Sequence, residues 1–263
     1  MLLKDYDVRN YYSITNKDIH SFRITLYNFL GNIIEDKFIN TLYSNENILK
    51  LCKDSELELF SIDTLNDMVK GTIRSSGLII RGDIVEALIR EAIASFEIDN
   101  IPIYQMSKLA SHKSIHINSD DKRKIQIDVL FTGEHIDKEV YLEVKFKDNH
   151  DNGKNKAMVD NLFYVEEKLV KRLEKEVESY ICFLTERGNV NKKGVETLTG
   201  NTLFQKLFGL SIDWISDLWN EVLNDIDFQK VKENAYNLID EYFYLAAKDG
   251  RESAYNSLIS STY

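Results

Sequence analysis

Two short segments near the middle of the chain carry charged residues at a spacing that could do chemistry. Residues 125–131 and 139–146 alternate apolar with mixed side chains, which predicts the two strands of an antiparallel hairpin. Because successive side chains of a strand point to opposite faces, Asp128 is expected opposite the apolar face of its strand. Glu143 and Lys145 are expected to share one face of the second strand. The hairpin therefore gathers two carboxylates and an ammonium beside an apolar core.

Hard oxygen ligands with an ammonium beside them suit the hydrolysis of a phosphodiester. Asp128, Glu143 and the backbone carbonyl of Val144 are the kind of ligand that Mg²⁺ prefers while it keeps waters for a phosphate substrate. Lys145 would lie near the metal-bound water, where it could orient or deprotonate the nucleophile and offset developing negative charge. The alternative is a solvent-exposed strand face with a cross-strand ion pair, which contributes little stability.

The spacing of these residues resembles the motif of the PD-(D/E)XK nuclease superfamily. Ile127-Asp128 is followed after fourteen residues by Glu143-Val144-Lys145, and in that family the two acids lie on adjacent strands. Ile127 stands where the name of the motif has proline, at a position that varies in the superfamily. The acid-x-lysine pattern also occurs in predicted helices or polar loops, at residues 35–37, 120–122 and 166–168. The resemblance covers about residues 80–187.

The family's first core helix often supplies a further acid, and the helix predicted before the hairpin offers two. Glu86 and Glu91 flank the apolar stripe of that helix on opposite edges, so the helical wheel does not choose between them. The segment from Gly82 to Glu86 resembles the family's first helix, and this favours Glu86. The resemblance thus implies a catalytic set of Asp128, Glu143, Lys145 and Glu86, with Asp128, Glu143 and Val144 as metal ligands.

What the resemblance implies about function is Mg²⁺-dependent endonucleolytic cleavage of double-stranded DNA. A solitary chain of this length is similar to the type II restriction endonucleases, which are hydrolases with a fixed recognition sequence. Cutting a palindrome would favour a homodimer, and a companion DNA methyltransferase acting on the same site would protect the host. Two alternatives stay open. One is a repair, transposition or phage-defence nuclease of the same superfamily without a fixed site, and the other is a non-catalytic helical protein that binds DNA or protein.

The elements around the hairpin predict an α/β fold. Helical periodicity covers several stretches, at residues 14–70 with an end at Gly71, at 83–96, at 155–179 and from 211 onward, and a buried strand is predicted at 180–185. This order predicts a mixed central sheet flanked by helices, which the resemblance specifies as the restriction-endonuclease-like type. A single proline and few glycines argue against a linker. We therefore expect one domain over 1–263, with a helical N-terminal segment (1–79), a nuclease core (80–190) and a helical C-terminal segment (191–263).

The distribution of charge limits the partners. The chain of 263 residues has 33 Lys plus Arg against 43 Asp plus Glu, a net charge of −10, which argues against broad, non-specific adhesion to nucleic acid or to anionic membranes. The excess acid lies in residues 1–100 and 201–263, while residues 101–200 are balanced. The predicted core thus has basic candidates for phosphate contacts, namely Lys113, Lys147, Lys154 and Lys156.

Other kinds of site find less support in the sequence. His112 and His116 are four apart, but no third zinc ligand follows at a useful spacing. The chain has no G-x-S-x-G elbow, Walker loop or dinucleotide-binding glycine motif. No secretory signal or membrane-spanning run is predicted, and Cys52 and Cys182 lie in apolar patterns typical of buried free thiols. We therefore expect a cytoplasmic protein.

Overall fold

The computed structural model describes residues 16–55, 61–98, 101–107, 125–133, 136–146, 152–185, 195–208 and 212–260. The chain groups into two units, each assembled from two stretches of sequence. The first unit comprises Met1–Phe29 and Val85–Trp219, and the second comprises Leu30–Ile84 and Asn220–Tyr263. The predicted domain boundaries stay a prediction, because compact grouping does not show which parts of a chain fold independently.

A five-stranded mixed sheet forms the framework of the first unit. The described strands are β1 (Glu97–Ile98), β2 (Ile101–Pro102), β3 (Tyr104–Met106), β4 (Val129–Gly133), β5 (Ile136–Lys145), β6 (Val177–Phe183) and β7 (Thr197–Thr199). The first two form a separate antiparallel pair, and the other five form one sheet in sequence order. β3, β4 and β5 pair antiparallel, whereas β5, β6 and β7 pair parallel. The mixed sheet expected from the sequence is confirmed.

Helices account for most of the remaining described residues. They are α1 (Asn16–Ile34), α2 (Asn45–Asp54), α3 (Ile62–Ala94), α4 (Asn152–Leu173), α5 (Gly200–Phe208), α6 (Ile215–Asp225), α7 (Phe228–Asp249) and α8 (Arg251–Ser260). A π-helical segment, Glu35–Leu42, continues α1 directly. None of the described helices combines the length and the apolar character needed to cross a lipid bilayer. Together, the described strands and helices make a mixed α/β fold, with helices flanking the sheet.

Helix α4 holds the middle of the sheet together. Leu162, Val165 and Leu169 recur at helical spacing and pack in one buried cluster with Tyr141 of β5 and Ile181 of β6. Burial of each such side chain stabilises the fold by about 1.5–3 kcal/mol. Because α4 is the crossover between the parallel strands β5 and β6, this packing fixes the strand that carries the predicted acid-x-lysine.

Helix α3 runs past the glycine at which the sequence predicted an end. Gly71 lies inside this helix of 33 residues, and the predicted helix at 83–96 is its second half, so the predicted end is wrong. A glycine in a helix interior costs about 1 kcal/mol relative to alanine. Val69 and Ile73, on either side of Gly71, are 3% and 0% exposed. Their burial outweighs that local cost, so packing keeps the helix intact.

The predicted hairpin is confirmed, with shifted ends. The first strand begins only at Val129, and the second runs over Ile136–Lys145 rather than 139–146. The helix predicted at 155–179 occupies Asn152–Leu173, and the following strand occupies Val177–Phe183 rather than 180–185. Both predicted core cysteines are buried free thiols.

Candidate functional site

Asp128 lies in a bend directly before β4, at the place where the β4–β5 ladder stops. The last paired residues are Val129 and Leu142, so the next backbone groups of β5 have no ladder partner on β4. The Asp128 carboxylate replaces that partner, because the Val144 backbone N–H donates to Oδ2 at 2.9 Å. The prediction that Asp128 is a strand residue is wrong, although the acid does lie beside β5 as predicted. Asp128 is only 7% exposed.

Three consecutive residues on one face of β5 form a chain of short contacts. Tyr141, Glu143 and Lys145 alternate along the strand and therefore share a face. The Tyr141 hydroxyl donates to Oε2 of Glu143 at 2.6 Å. The Lys145 ammonium donates to the other oxygen, Oε1, also at 2.6 Å. Glu143, at 9% exposure, thus has both oxygens engaged.

The ammonium of Lys145 lies among the three oxygen groups that are predicted from the sequence to be metal ligands. Its Nζ is 2.6 Å from Glu143 Oε1, 3.0 Å from the Val144 carbonyl oxygen and 3.6 Å from Asp128 Oδ2. These oxygens come from the bend and from two successive residues of β5, yet they converge on one cation. The structure therefore brings Asp128, Glu143, Val144 and Lys145 together.

Helix α3 reaches this cluster through Arg90. The guanidinium donates from Nε to the Asp128 carbonyl at 2.6 Å and from NH2 to the Ile127 carbonyl at 3.1 Å. The same NH2 group is 2.6 Å from Oε1 of Glu86, one helical turn earlier. Arg90 thus anchors the bend that carries Asp128, and it joins Glu86 to the site.

Of the two helical acids, Glu86 is the one that contacts this network. The charge of Glu86 also contributes to raising the pKa of Tyr141, behind burial and the charges of Glu143 and Asp128. Glu91 follows Arg90 directly and takes part in helix α3 through its carbonyl, which accepts from Ser95. Of the two predicted acids, Glu86 is thus the one that pairs with Arg90.

Burial and neighbouring charges shift the pKa values of Asp128 and Lys145. Burial first, and the Glu143 charge second, raise the pKa of Asp128 from 3.8 to about 6, against the opposing effects of Lys145 and of the Val144 N–H. Burial alone would lower the pKa of Lys145, but the Glu143 and Asp128 charges outweigh it and raise that pKa. Lys145 therefore stays an ammonium at neutral pH.

The site is buried, which separates it from an ordinary surface ion pair. Asp128 and Glu143 are nearly inaccessible, and only the Lys145 side chain, at 31% exposure, reaches solvent to a substantial degree. The alternative of a solvent-exposed strand face is therefore wrong for the two acids. Two buried carboxylates share one ammonium, and this excess of negative charge favours a further cation.

The donor set fits a divalent cation with many water ligands. Mg²⁺ is commonly bound through one or two carboxylates, with waters and substrate oxygens in the other positions. Asp128, Glu143 and the Val144 carbonyl supply such a set, and they already converge on a positive group. Among the described residues, no group of three or more His, Cys, Asp and Glu side chains is placed to hold a metal.

The predicted phosphate contacts are mostly outside the described residues. Lys113 and Lys147 lie outside them, as do His112, His116 and the loop at 187–194. Lys154 falls within α4, but its side chain is not described. Lys156, on the first turns of the same helix, is exposed. A role of these lysines in binding DNA stays a prediction.

Two residues of the site were missed in the sequence, although each had a signal. Arg90 lies four residues after Glu86, the spacing of an ion pair on one helix face. Tyr141 lies two residues before Glu143, which puts it on the same strand face. Neither position belongs to the acid-x-lysine motif, and both act by holding the motif residues in place.

Comparison with protein-family models, with curated proteins and with solved structures finds no match to this chain. The function is therefore argued from the geometry of the site.

Proposed function

We propose that this protein is a Mg²⁺-dependent endonuclease that hydrolyses phosphodiester bonds of double-stranded DNA, with Asp128, Glu143 and Lys145 at its centre. The observation that carries the proposal is the convergence of two buried carboxylates and a backbone carbonyl on one ammonium. A pair of acids with a lysine at this spacing resembles the PD-(D/E)XK motif. The contacts among these residues support the proposal, because they bring the motif residues to one place.

The order of the elements supports the same proposal. Helix α3, strands β4 and β5, helix α4 and strand β6 occur in the order that the resemblance implies, with β1, β2 and β3 between α3 and β4. Strands β4 and β5 are neighbours in the sheet. The first acid precedes β4, and the acid-x-lysine ends β5. The family's expected helical acid corresponds to Glu86, which Arg90 joins to the site.

In this proposal Asp128, Glu143 and the Val144 carbonyl hold the metal. A bound Mg²⁺ would polarise the scissile phosphate and lower the pKa of an attacking water. Without metal, the charges of Glu143 and Asp128 raise the pKa of Lys145. In the proposed enzyme its ammonium would offset negative charge that develops on the phosphate.

Tyr141 and Arg90 are positioning residues in this scheme. The Tyr141 hydroxyl fixes one oxygen of Glu143, and the other oxygen accepts from the Lys145 ammonium. Arg90 ties the Ile127 and Asp128 carbonyls, which flank the Asp128 α-carbon, to helix α3 and so keeps the Asp128 carboxylate beside β5. Because a displacement of about 1 Å can greatly reduce the rate of a reaction, these contacts are expected to matter for activity.

The test is incubation of the purified protein with plasmid DNA, with Mg²⁺ and with a chelator. Discrete fragments would support a sequence-specific enzyme of the type II restriction kind, for which a homodimer and a companion methyltransferase are then expected. A smear would support a nuclease without a fixed site. Absence of cleavage with Mg²⁺ over a panel of DNA substrates would contradict the proposal and favour a non-catalytic binding protein.

Variants of the same strand supply the matched controls. Lys145→Ala and Asp128→Asn are expected to lose cleavage by several orders of magnitude while the fold is kept. Lys138→Ala removes another ion-paired lysine of β5, 2.9 Å from Glu176, and is expected to cleave normally. Full activity of Lys145→Ala, or equal loss in Lys138→Ala, would contradict the assignment.

The helical acids provide a second comparison. Glu86→Gln is expected to lower cleavage, because it changes the partner of Arg90. Glu91→Gln lies on the same helix and is expected to leave cleavage unchanged. The opposite result would make Glu91 the acid of the site.

A further inference from the structure

The second unit contains a pocket of about 400 Å³ that is lined by none of the residues of the candidate site. Its wall is formed by the π-helical segment with Tyr43, by helix α3 around Gly77 and by helix α7 from Phe228 onward. This volume lies within the range of about 300–1,000 Å³ that is usual for small-molecule sites.

Aromatic rings make up much of this wall, and the π-helix arranges them. On an ordinary α-helix, residues five apart point about 140° away from each other. Here the Tyr43 N–H donates to the Phe38 carbonyl at 2.7 Å, a five-residue hydrogen bond. The two rings consequently stack, with centroids 6.2 Å apart and planes at 23°. Phe228 meets both rings edge-on, at 5.2 Å and 5.6 Å.

Cationic side chains surround the rings. Arg74, Arg81 and Lys232 line the pocket together with Tyr236. The Arg74 guanidinium lies 5.7 Å from the centre of the Tyr236 ring, and its Nε donates to the Tyr236 hydroxyl at 3.3 Å. The pocket therefore presents flat apolar surfaces and positive groups side by side.

The charge of this lining is opposite to that of its surroundings. The second unit contains ten basic and seventeen acidic residues. Three of the bases line the pocket, and the described lining contains no acid. The cations are thus concentrated at the pocket, and clustered cations in a cleft attract an anionic ligand.

We propose that this pocket binds a nucleotide, with its base against the aromatic rings and its phosphate at Arg74, Arg81 and Lys232. Inorganic phosphate would leave the rings without a contact, and a purely apolar ligand would bring no negative charge to the three cations. A nucleotide uses both parts of the wall, since bases stack on aromatic side chains and phosphates pair with arginine and lysine. The ligand is either a free nucleotide or one nucleotide of a single strand. This proposal does not depend on the nuclease proposed for the first unit.

Calorimetric titration of the full chain in metal-free buffer tests the chemistry of the ligand. The probes are adenosine 5′-monophosphate, thymidine 5′-monophosphate, adenosine, inorganic phosphate and a single-stranded DNA oligonucleotide. The mononucleotides are expected to bind at least about tenfold more tightly than adenosine or phosphate, because each of these lacks one half of the interaction. Binding of the oligonucleotide without the mononucleotides identifies a strand as the source and still supports the proposal.

Variants on helix α7 test the location. Lys232→Gln is expected to weaken the binding that is observed by about tenfold, and Phe228→Leu by a similar factor. Lys230→Gln is the matched control, because Lys230 is exposed on the same helix and outside the pocket. Thermal melting checks that each variant is folded. Absence of nucleotide and oligonucleotide binding at millimolar ligand, equally tight binding of phosphate alone, or equal effects of Lys232→Gln and Lys230→Gln would overturn the proposal.

Discussion

Replacing Asp128 by asparagine is expected to make the protein progressively more stable than the wild type as the pH rises. Burial and the Glu143 charge raise the pKa of Asp128 from 3.8 to about 6 in the folded protein. A carboxyl with a raised pKa binds its proton more tightly in the folded than in the unfolded state. Its ionisation therefore lowers the free energy of unfolding as the pH rises from about 4 to about 6.

The size of the effect follows from this difference in pKa. About two pH units at about 1.4 kcal/mol each correspond to a total of about 3 kcal/mol, of which the wild type loses about 2 kcal/mol between pH 4 and pH 7. Asparagine has no charge to bury, and its carbonyl oxygen can still accept from the Val144 N–H. The stability difference between variant and wild type should thus rise by about 2 kcal/mol over this range and change little above pH 7.

The assay is urea denaturation followed by circular dichroism, at constant ionic strength, without metal, from pH 4 to pH 8. Subtracting the wild-type free energy of unfolding from that of the variant removes the contribution of the other titrating groups. Asp160→Asn is the matched control for the loss of one carboxylate, since Asp160 is exposed on α4. A difference for Asp128→Asn that stays flat or falls with pH would show that Lys145 and the Val144 N–H stabilise the carboxylate by more than burial opposes it.

Further substitutions and a labelling experiment test the packing around the site. Gly82→Ala should raise the free energy of unfolding by about 1 kcal/mol, because Gly82 lies in a helix interior and nothing is within 4 Å of the added methyl. Gly200→Ala should lower the free energy of unfolding by about 1–3 kcal/mol, because the added methyl would lie 2.8 Å from a backbone carbonyl oxygen. If urea denaturation showed that both variants change the free energy of unfolding in the same direction, this reasoning would be contradicted. Tyr141→Phe should lower stability by about 1–3 kcal/mol, because it deprives a buried Glu143 oxygen of its donor, and no change in the urea midpoint would refute that role. Burial raises the pKa of Cys182 to about 12, so its thiol should resist a thiol reagent at pH 8 in the native protein and react in urea; rapid native labelling would show that it is accessible.

The strands of the site could be predicted from sequence because their signal is strong and local. Residues 139–146 alternate in polarity, and this alternation alone places Glu143 and Lys145 on one face, as found in β5. The bend at Asp128 could not be predicted in the same way, since Ile127 and Val129 continue the apolar pattern through it. The bend depends on Arg90 and on the Val144 N–H, contacts that are distant in sequence.

The shortest strands could not be predicted from the sequence, because they show no periodic pattern of apolar and polar residues. Strands β3 and β7 have three residues each, too few for an alternation to be recognised, and they are defined by pairing with β4 and β6. Their placement is a property of the sheet and not of the segments. The same limit applies to the end predicted at Gly71, where distant packing overrides a local preference.

The π-helix had a signal of a different kind. The buried positions Leu26, Leu30, Ile34, Phe38 and Leu42 follow one another at steps of four. Four residues exceed one α-helical turn by about 40°, so such a row drifts around the helix and turns away from the core. A segment with five-residue hydrogen bonds corrects this drift, and it occurs at Glu35–Leu42. A run of equal four-residue steps therefore predicts a widened turn.

The unequal charge of the site argues for a binding role of Asp128. A structural ion pair is balanced by one carboxylate, and Glu143 already supplies it, at 2.6 Å from Lys145. Asp128 adds a second buried acid, whose ionisation opposes folding. Buried groups with perturbed pKa values are concentrated at functional sites, where the energetic cost is offset when a ligand binds. A cation that binds the folded protein alone would lower the pKa of Asp128 and recover the lost stability. The structural interpretation predicts no such gain, so the change in stability on adding Mg²⁺ distinguishes the two without any measurement of activity.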